Sequence, residues 1–190
     1  MPGLYDKNDY DLSGTIVGIA EKSKLINGKK IKRGDILIGF PSNGLHTNGY
    51  SLARKVLLEE YSLNSVPKGF SKSLGYELLR VHKSYLKLIT QLKENILMKG
   101  FSHITGGGIV GNTMRLIPKG LSLNIFWGNW KKPNIFDLIQ STGGISNDEM
   151  QSVFNLGIGL IAIASKKEHE MITAISKKLK EKPVLVGEVV

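Results

Sequence analysis

The chain has 190 residues, 41% of them hydrophobic and 22% charged, a composition that suits one folded domain with a sizeable core and excludes a disordered chain. It contains no cysteine, which excludes disulfides and thiolate chemistry, and no apolar run approaches the roughly 20 residues of a membrane helix. The net charge of +10 raises the question of a nucleic-acid partner. Against it, the basic residues are mostly lysines spread along the chain, the arginines being Arg33, Arg54, Arg80 and Arg115, with no aromatic stacking ladder among them. A lysine-rich surface, without specific nucleic-acid recognition, is the expectation.

The lack of cysteine fits a cytoplasmic protein without requiring one; in chain order, "MPGLYDKNDYDLSG" carries acids and a proline where a signal peptide would have a basic start and an apolar centre. "SGTIVGIAEK" (13–22) reads as a strand, with Asn27-Gly28 in a turn after it and a hairpin near the start. "DILIGF" (35–40) is a short apolar run suited to a buried strand. Leu52, Val56, Leu57 and Tyr61 then recur at helical spacing, and 62–75 is loop-like. Leu78, Leu79, His82, Tyr85, Leu86, Ile89, Leu92 and Ile96 predict a long amphipathic helix, with His82 on its apolar face.

"MKGFSHI" (98–104) predicts a strand, followed by "TGGG" and a short helix that ends before Pro118. "LSLNIF" (121–126) is another strand. Pro133 opens a helix that Gly143-Gly144 closes, and Ser146 caps the next one. "GIGLIAIA" (157–164) predicts a buried strand. A lysine-bearing helix with Met171, Ile172, Ile175 and Leu179 on its buried side follows, and "PVLVGEVV" (183–190) closes the chain as a strand. Irregular alternation of strands and helices predicts an α+β domain: a sheet of mixed direction layered with helices.

Two loops carry chemistry. "GFPSNGLHTNG" runs from a buried strand into a helix and gathers Asn43, His46, Thr47 and Asn48 around Gly44 and Gly49. Such a turn presents backbone N–H groups to an anion; the same pattern also serves as a plain helix start capped by Thr47 or Asn48. "SHITGGGIVGN" repeats the arrangement, and three successive glycines exceed what a turn requires. Neither loop is a Walker or GxGxxG sequence. No histidine and carboxylate spacing resembles a zinc site, so no metal ligand is assigned. His169 reads as solvated, and Trp127 and Trp130 as packing residues flanking a Gly-Asn turn.

"FPSNGLHTNGYSLAR", "GFSHITGGG" and "FNLGIGL" occur in the order and approximate spacing of aminoimidazole ribonucleotide synthetase (phosphoribosylformylglycinamidine cyclo-ligase), and the chain resembles the C-terminal domain of that family over nearly its whole length. The resemblance implies residues 1–12 as an inter-domain connector and 13–190 as the C-terminal synthetase domain, with the ATP-binding N-terminal domain absent from this chain. It implies an ATP-dependent ring closure of formylglycinamidine ribonucleotide in purine synthesis, in a homodimeric enzyme whose ATP and Mg²⁺ are held mainly by the absent domain. This chain alone would then be inactive.

Carried over residue by residue, the resemblance puts Asn43, Thr47 and Asn48 in a substrate-facing loop and Thr105, Gly106, Gly107 and Gly108 in the facing wall. Asn155, Gly157 and Gly159 belong to the same substrate-binding set, and His46 and His103 are the candidates for moving a proton. Departures from the family pattern fall at Val81, His82, Gly111 and Met114. A kinase-like relative of the same superfamily, or an anion-binding or interaction module that kept only the fold, are the other readings.

Overall fold

Two apolar runs make the centre of the sheet. In the computed structural model, which describes residues 13–190, "ILIGFP" forms β1 (Ile36–Pro41). "IGLIAIA" forms β4 (Ile158–Ala164), buried at every position. The shorter β2 (Gly100–His103), β3 (Leu123–Ile125) and the final β5 (Val184–Val189) complete five strands in the order β2-β4-β1-β5-β3. The connector expected over 1–12 lies outside the described residues.

The α+β class agrees with the sequence reading, but each strand pairs antiparallel to its neighbours rather than in mixed directions. The reason is topological. β1 and β2 do run the same way, yet β4 lies between them and opposes both, so the crossover yields no parallel pair.

Period-two alternation splits the strands between two cores. Ile36, Ile38 and Phe40 of β1, with Leu160, Ala162 and Ala164 of β4, face α3 (Leu86–Asn95) and α7 (His169–Lys178), where Leu88, Leu92 and Ile172 meet them. Leu37, Ile161 and Ile163 point the other way, toward Ile109 of α4 (Gly108–Met114). A third cluster joins α1 (Tyr50–Glu60), α2 (Leu74–Leu78), α5 (Asn134–Gly143) and α6 (Asn147–Val153) through Leu57, Leu74, Ile139 and the edge-to-face rings of Phe136 and Phe154. Each such side chain, fully buried, contributes about 1.5–3 kcal/mol. The caps agree with expectation: Ser146 accepts from the Glu149 N–H at 3.2 Å, and left-handed Gly144 ends α5.

Two predicted elements are absent. Residues 13–22 form no strand, and so no hairpin; Ile16, Val17 and Ile19 are almost wholly exposed. A strand needs a neighbour to satisfy its backbone, and among the described residues nothing pairs with this one. The long helix over 78–96 is two short ones, α2 and α3, with 79–85 irregular between them. Leu79 and Leu86, counted toward its apolar stripe, are exposed at 82% and 73%.

Candidate functional site

Because β1 and β2 both oppose β4, their C-terminal ends lie at the same edge of the sheet, beside the start of β4. The two loops, separated by more than fifty residues of chain, are thereby brought together with the segment 155–157. Gly106 approaches Asn48 so closely that a Cβ there would lie 3.6 Å from Asn48 Oδ1.

The first loop is strained and braced. His46 and Thr47 both have left-handed backbones, φ 55° and 67°, which costs non-glycine residues on the order of 1–3 kcal/mol each. Buried Asn155 holds the turn: its Nδ2 donates to the carbonyls of Gly44 and Leu45 at 2.8 and 3.1 Å, while its Oδ1 accepts from Gly157 N and Ser42 Oγ at 2.8 and 3.0 Å. Asn48 Nδ2 donates to the His46 carbonyl. Neither Thr47 nor Asn48 caps α1, as the alternative reading had it; the cap position is Gly49, left-handed and without a side-chain bond.

His46 is buried, and its Nε2 accepts backbone N–H groups from Asn43 at 2.8 Å and Lys83 at 3.3 Å. The proton of the neutral ring therefore sits on Nδ1, which is buried and has no partner among the described residues. Burial, then the neighbouring His82 and His103 imidazoles and Lys83, lower its pKa to about 4. The ring is a neutral clamp between the loop 42–49 and the segment 81–83. Gly159 makes room for it: the β1–β4 register shifts there, and a Cβ would fall 2.3 Å from the Tyr85 hydroxyl and 2.7 Å from His46 Cε1. Gly157, at φ 98°, similarly lets Pro133 pack against it.

His82 is the residue the sequence pattern misplaced. It stands in the irregular segment between α2 and α3, stacked on His46 with ring centroids 4.1 Å apart. Its Nδ1 lies 3.1 Å from Thr47 Oγ1 and its Nε2 3.0 Å from Nε2 of exposed His103. Thr47, His82 and His103 thus form one hydrogen-bonded chain across the two loops. Burial and the adjacent His82 lower the pKa of His103. The departure from the family pattern at Val81-His82 was the available sequence signal.

The glycine loop is organised by Asn112, another residue the sequence reading passed over. Its Nδ2 donates to the carbonyls of Thr105, Gly106 and Gly108, and Thr105 Oγ1 donates to its Oδ1 at 2.9 Å. Gly106 and Gly107 are exposed; Gly108 is buried, and a Cβ on it would collide with the Gln151 carbonyl at 1.8 Å. Of the expected site residues, Asn43, Thr47, His103, Gly106 and Gly107 are therefore exposed, Asn48 and Thr105 half-buried, and Gly108, Asn155, Gly157 and Gly159 lie beneath them as support. A hollow of about 500 Å³ opens beside Asn43, lined also by Tyr76, Leu79, Arg80 and Val81.

An antiparallel sheet layered with helices, and polar glycine-bearing loops gathered at one sheet edge, define the class. Within it, the chain belongs to the family described as AIR synthase related protein, C-terminal domain, whose model matches residues 32–190. It is 45% identical over 192 residues to a phosphoribosylformylglycinamidine cyclo-ligase of Geobacillus sp. (strain WCH70), a match covering all of this chain and 55% of the relative. Over 170 residues it is 45% identical to the enzyme of the same name from Myxococcus xanthus, covering 88% of this chain and 49% of the relative. The chain thus spans about half the length of these curated relatives. In fold it is similar to the E. coli hydrogenase maturation protein HypE (TM-score 0.55, 19% identity, covering 86% of this chain and 46% of that one). It is also similar to T. maritima PurL complexed with AMPPCP (TM-score 0.52, 14% identity, covering 90% and 24%).

Proposed function

We infer that this chain is the C-terminal half of a phosphoribosylformylglycinamidine cyclo-ligase, contributing one wall of a cleft that closes the imidazole ring of aminoimidazole ribonucleotide. The observation that carries the reading is the meeting of the His46 and glycine loops at one sheet edge, in a chain 45% identical to a relative of that name along its full length. The exposed backbone of 105–107 and the side chains of Asn43, Thr47 and Asn48 would face the ribonucleotide. His103 is the group placed to move a proton, because it is exposed, with its pKa held below the usual imidazole value. His46, buried and committed to two backbone donors, positions that surface rather than titrating in it. A cytoplasmic homodimer is the setting that the resemblance implies.

ATP and Mg²⁺ belong to the other half in this reading. Mg²⁺ takes oxygen ligands, chiefly carboxylates. Residues 42–49, 102–112 and 155–157 contain no Asp or Glu, so these loops do not fit the ion and no step is assigned to it here. The test is a hybrid enzyme in which this chain replaces the corresponding half of the Geobacillus relative. The hybrid should form product, and His103→Ala should lower kcat by roughly 10²–10⁴, the range of one proton-transfer group. A folded, ATP-binding hybrid without activity would overturn the reading.

A further inference from the structure

We propose that His82 and His103 form a binding site for a borderline divalent transition-metal ion of the zinc class, bridging the two loops. One nitrogen from each of His46, His82 and His103 lies within 4.8 Å of the others, but the three rings are not equivalent. The Nε2 atoms of His82 and His103 face each other at 3.0 Å, with rings tilted by 51° and centroids 5.0 Å apart. Two nitrogens bound to one tetrahedral Zn²⁺ at about 2.0–2.1 Å stand about 3.3 Å apart. The pair is thus a few tenths of an ångström closer than two ligands of one ion, and admitting the ion requires the rings also to swing so that both lone pairs converge beside the line joining the nitrogens; neither side chain is buried in a way that resists this.

The tautomers suit this. When His82 Nδ1 carries the proton and donates to Thr47 Oγ1, its Nε2 lone pair is free for a metal, as ligating imidazoles require. In the metal-free pair His103 Nε2 holds the proton that His82 Nε2 accepts; when the ion takes its place the proton moves through solvent to Nδ1 of the same ring, so both rings stay neutral and no net proton is released. His46 adds no ligand. Its Nε2 already receives two backbone N–H groups, and its ring stacks on His82 at 21°, so their in-plane lone pairs do not converge. The result is an open two-imidazole site, completed by water, of the kind that selects Zn²⁺, Ni²⁺ or Cu²⁺ over Mg²⁺ and Ca²⁺. Spacings of 36 and 21 residues between the three histidines hid it from motif reading. An ion there would tie the segment 79–85 to the end of β2 and occupy His103.

Calorimetric titration of Zn²⁺ into the full chain, in a buffer that does not coordinate metal, tests this without reference to the cyclo-ligase reading. One ion per chain should bind in the micromolar range and resist an excess of Mg²⁺. His82→Thr and His103→Asn should each weaken binding roughly tenfold or more, while His169→Asn, on exposed α7, should change nothing. In the unsubstituted chain, Zn²⁺ should shift the imidazole resonances of His82 and His103 and not those of His169. The proposal is overturned if Zn²⁺ fails to saturate, if either variant binds as tightly as the parent, or if His169 is the ring that responds.

Discussion

Adjacent glycines of the same loop do different jobs. Gly107 has φ 103° but only ordinary contacts around its absent Cβ, with Asn112 Nδ2 at 3.6 Å and an Arg115 guanidinium nitrogen at 4.0 Å; Gly108 has φ 62° and the Gln151 carbonyl in the way. Gly107→Val should therefore cost about 1–3 kcal/mol, the scale of a strained backbone position, and still fold. Gly108→Ala should cost more than Gly107→Val, because backbone rather than a flexible side chain must move. Thermal unfolding of the two variants checks the ranking, and equal losses would refute it. His46 makes a second prediction at this scale. Its pKa is depressed to about 4 in the folded chain against 6.5 when free, so the unfolded chain binds the extra proton first. Stability from this residue is complete above about pH 6.5 and is lost as pH falls toward 4, by on the order of 3 kcal/mol. His46→Gln, which keeps an acceptor near Nε2, should flatten that part of the stability–pH curve; an unchanged slope would show that other groups set it.

Between elements, one buried ion pair ties the sheet together. Asp35, just before β1, meets Lys99, just before β2, and also accepts the Lys32 N–H at 2.8 Å. Both side chains are nearly excluded from water. Lys99→Met would strand the carboxylate, at a cost of about 3–5 kcal/mol, whereas adding Asp35→Asn to it should recover much of the loss. Denaturant titration of the single and double variants measures the coupling; additive losses would contradict it. This is also the scale at which the sequence was most and least legible. β1 and β4 showed themselves as apolar runs, and Ser146 and Gly144 as chain punctuation, because those signals are local. The helix over 78–96 was overread because Leu79 and Leu86 keep the period without being buried, and periodicity cannot report burial. Residues 13–22 are rich in β-branched residues as a strand is, but a strand's existence depends on a partner that lies elsewhere in the chain.

At the scale of the whole molecule, the two loops were readable as candidates, and their union was not. Only the order β2-β4-β1 brings His103 and Asn43 to one edge, and only the irregular 79–85 segment places His82 between His103 and Thr47. The support roles of Asn112 and Tyr85 follow from no spacing: Asn112 donates to the Thr105 carbonyl of the glycine loop, and the Tyr85 hydroxyl to the carbonyl of Pro41 at the end of β1. The net charge of +10 belongs to this scale as well. Any binding to duplex DNA should collapse at moderate salt and show no sequence preference, since phosphate contact alone is salt-dependent; salt-resistant, sequence-dependent binding would contradict that. The central claim is that the two loops form one ligand surface. Its most direct test is titration of the isotope-labelled chain with formylglycinamidine ribonucleotide, following backbone amides by NMR. Amides of 43–48 and 105–107 should shift together along one saturation curve. Shifts confined to one loop, or centred on α7 instead, would contradict the account.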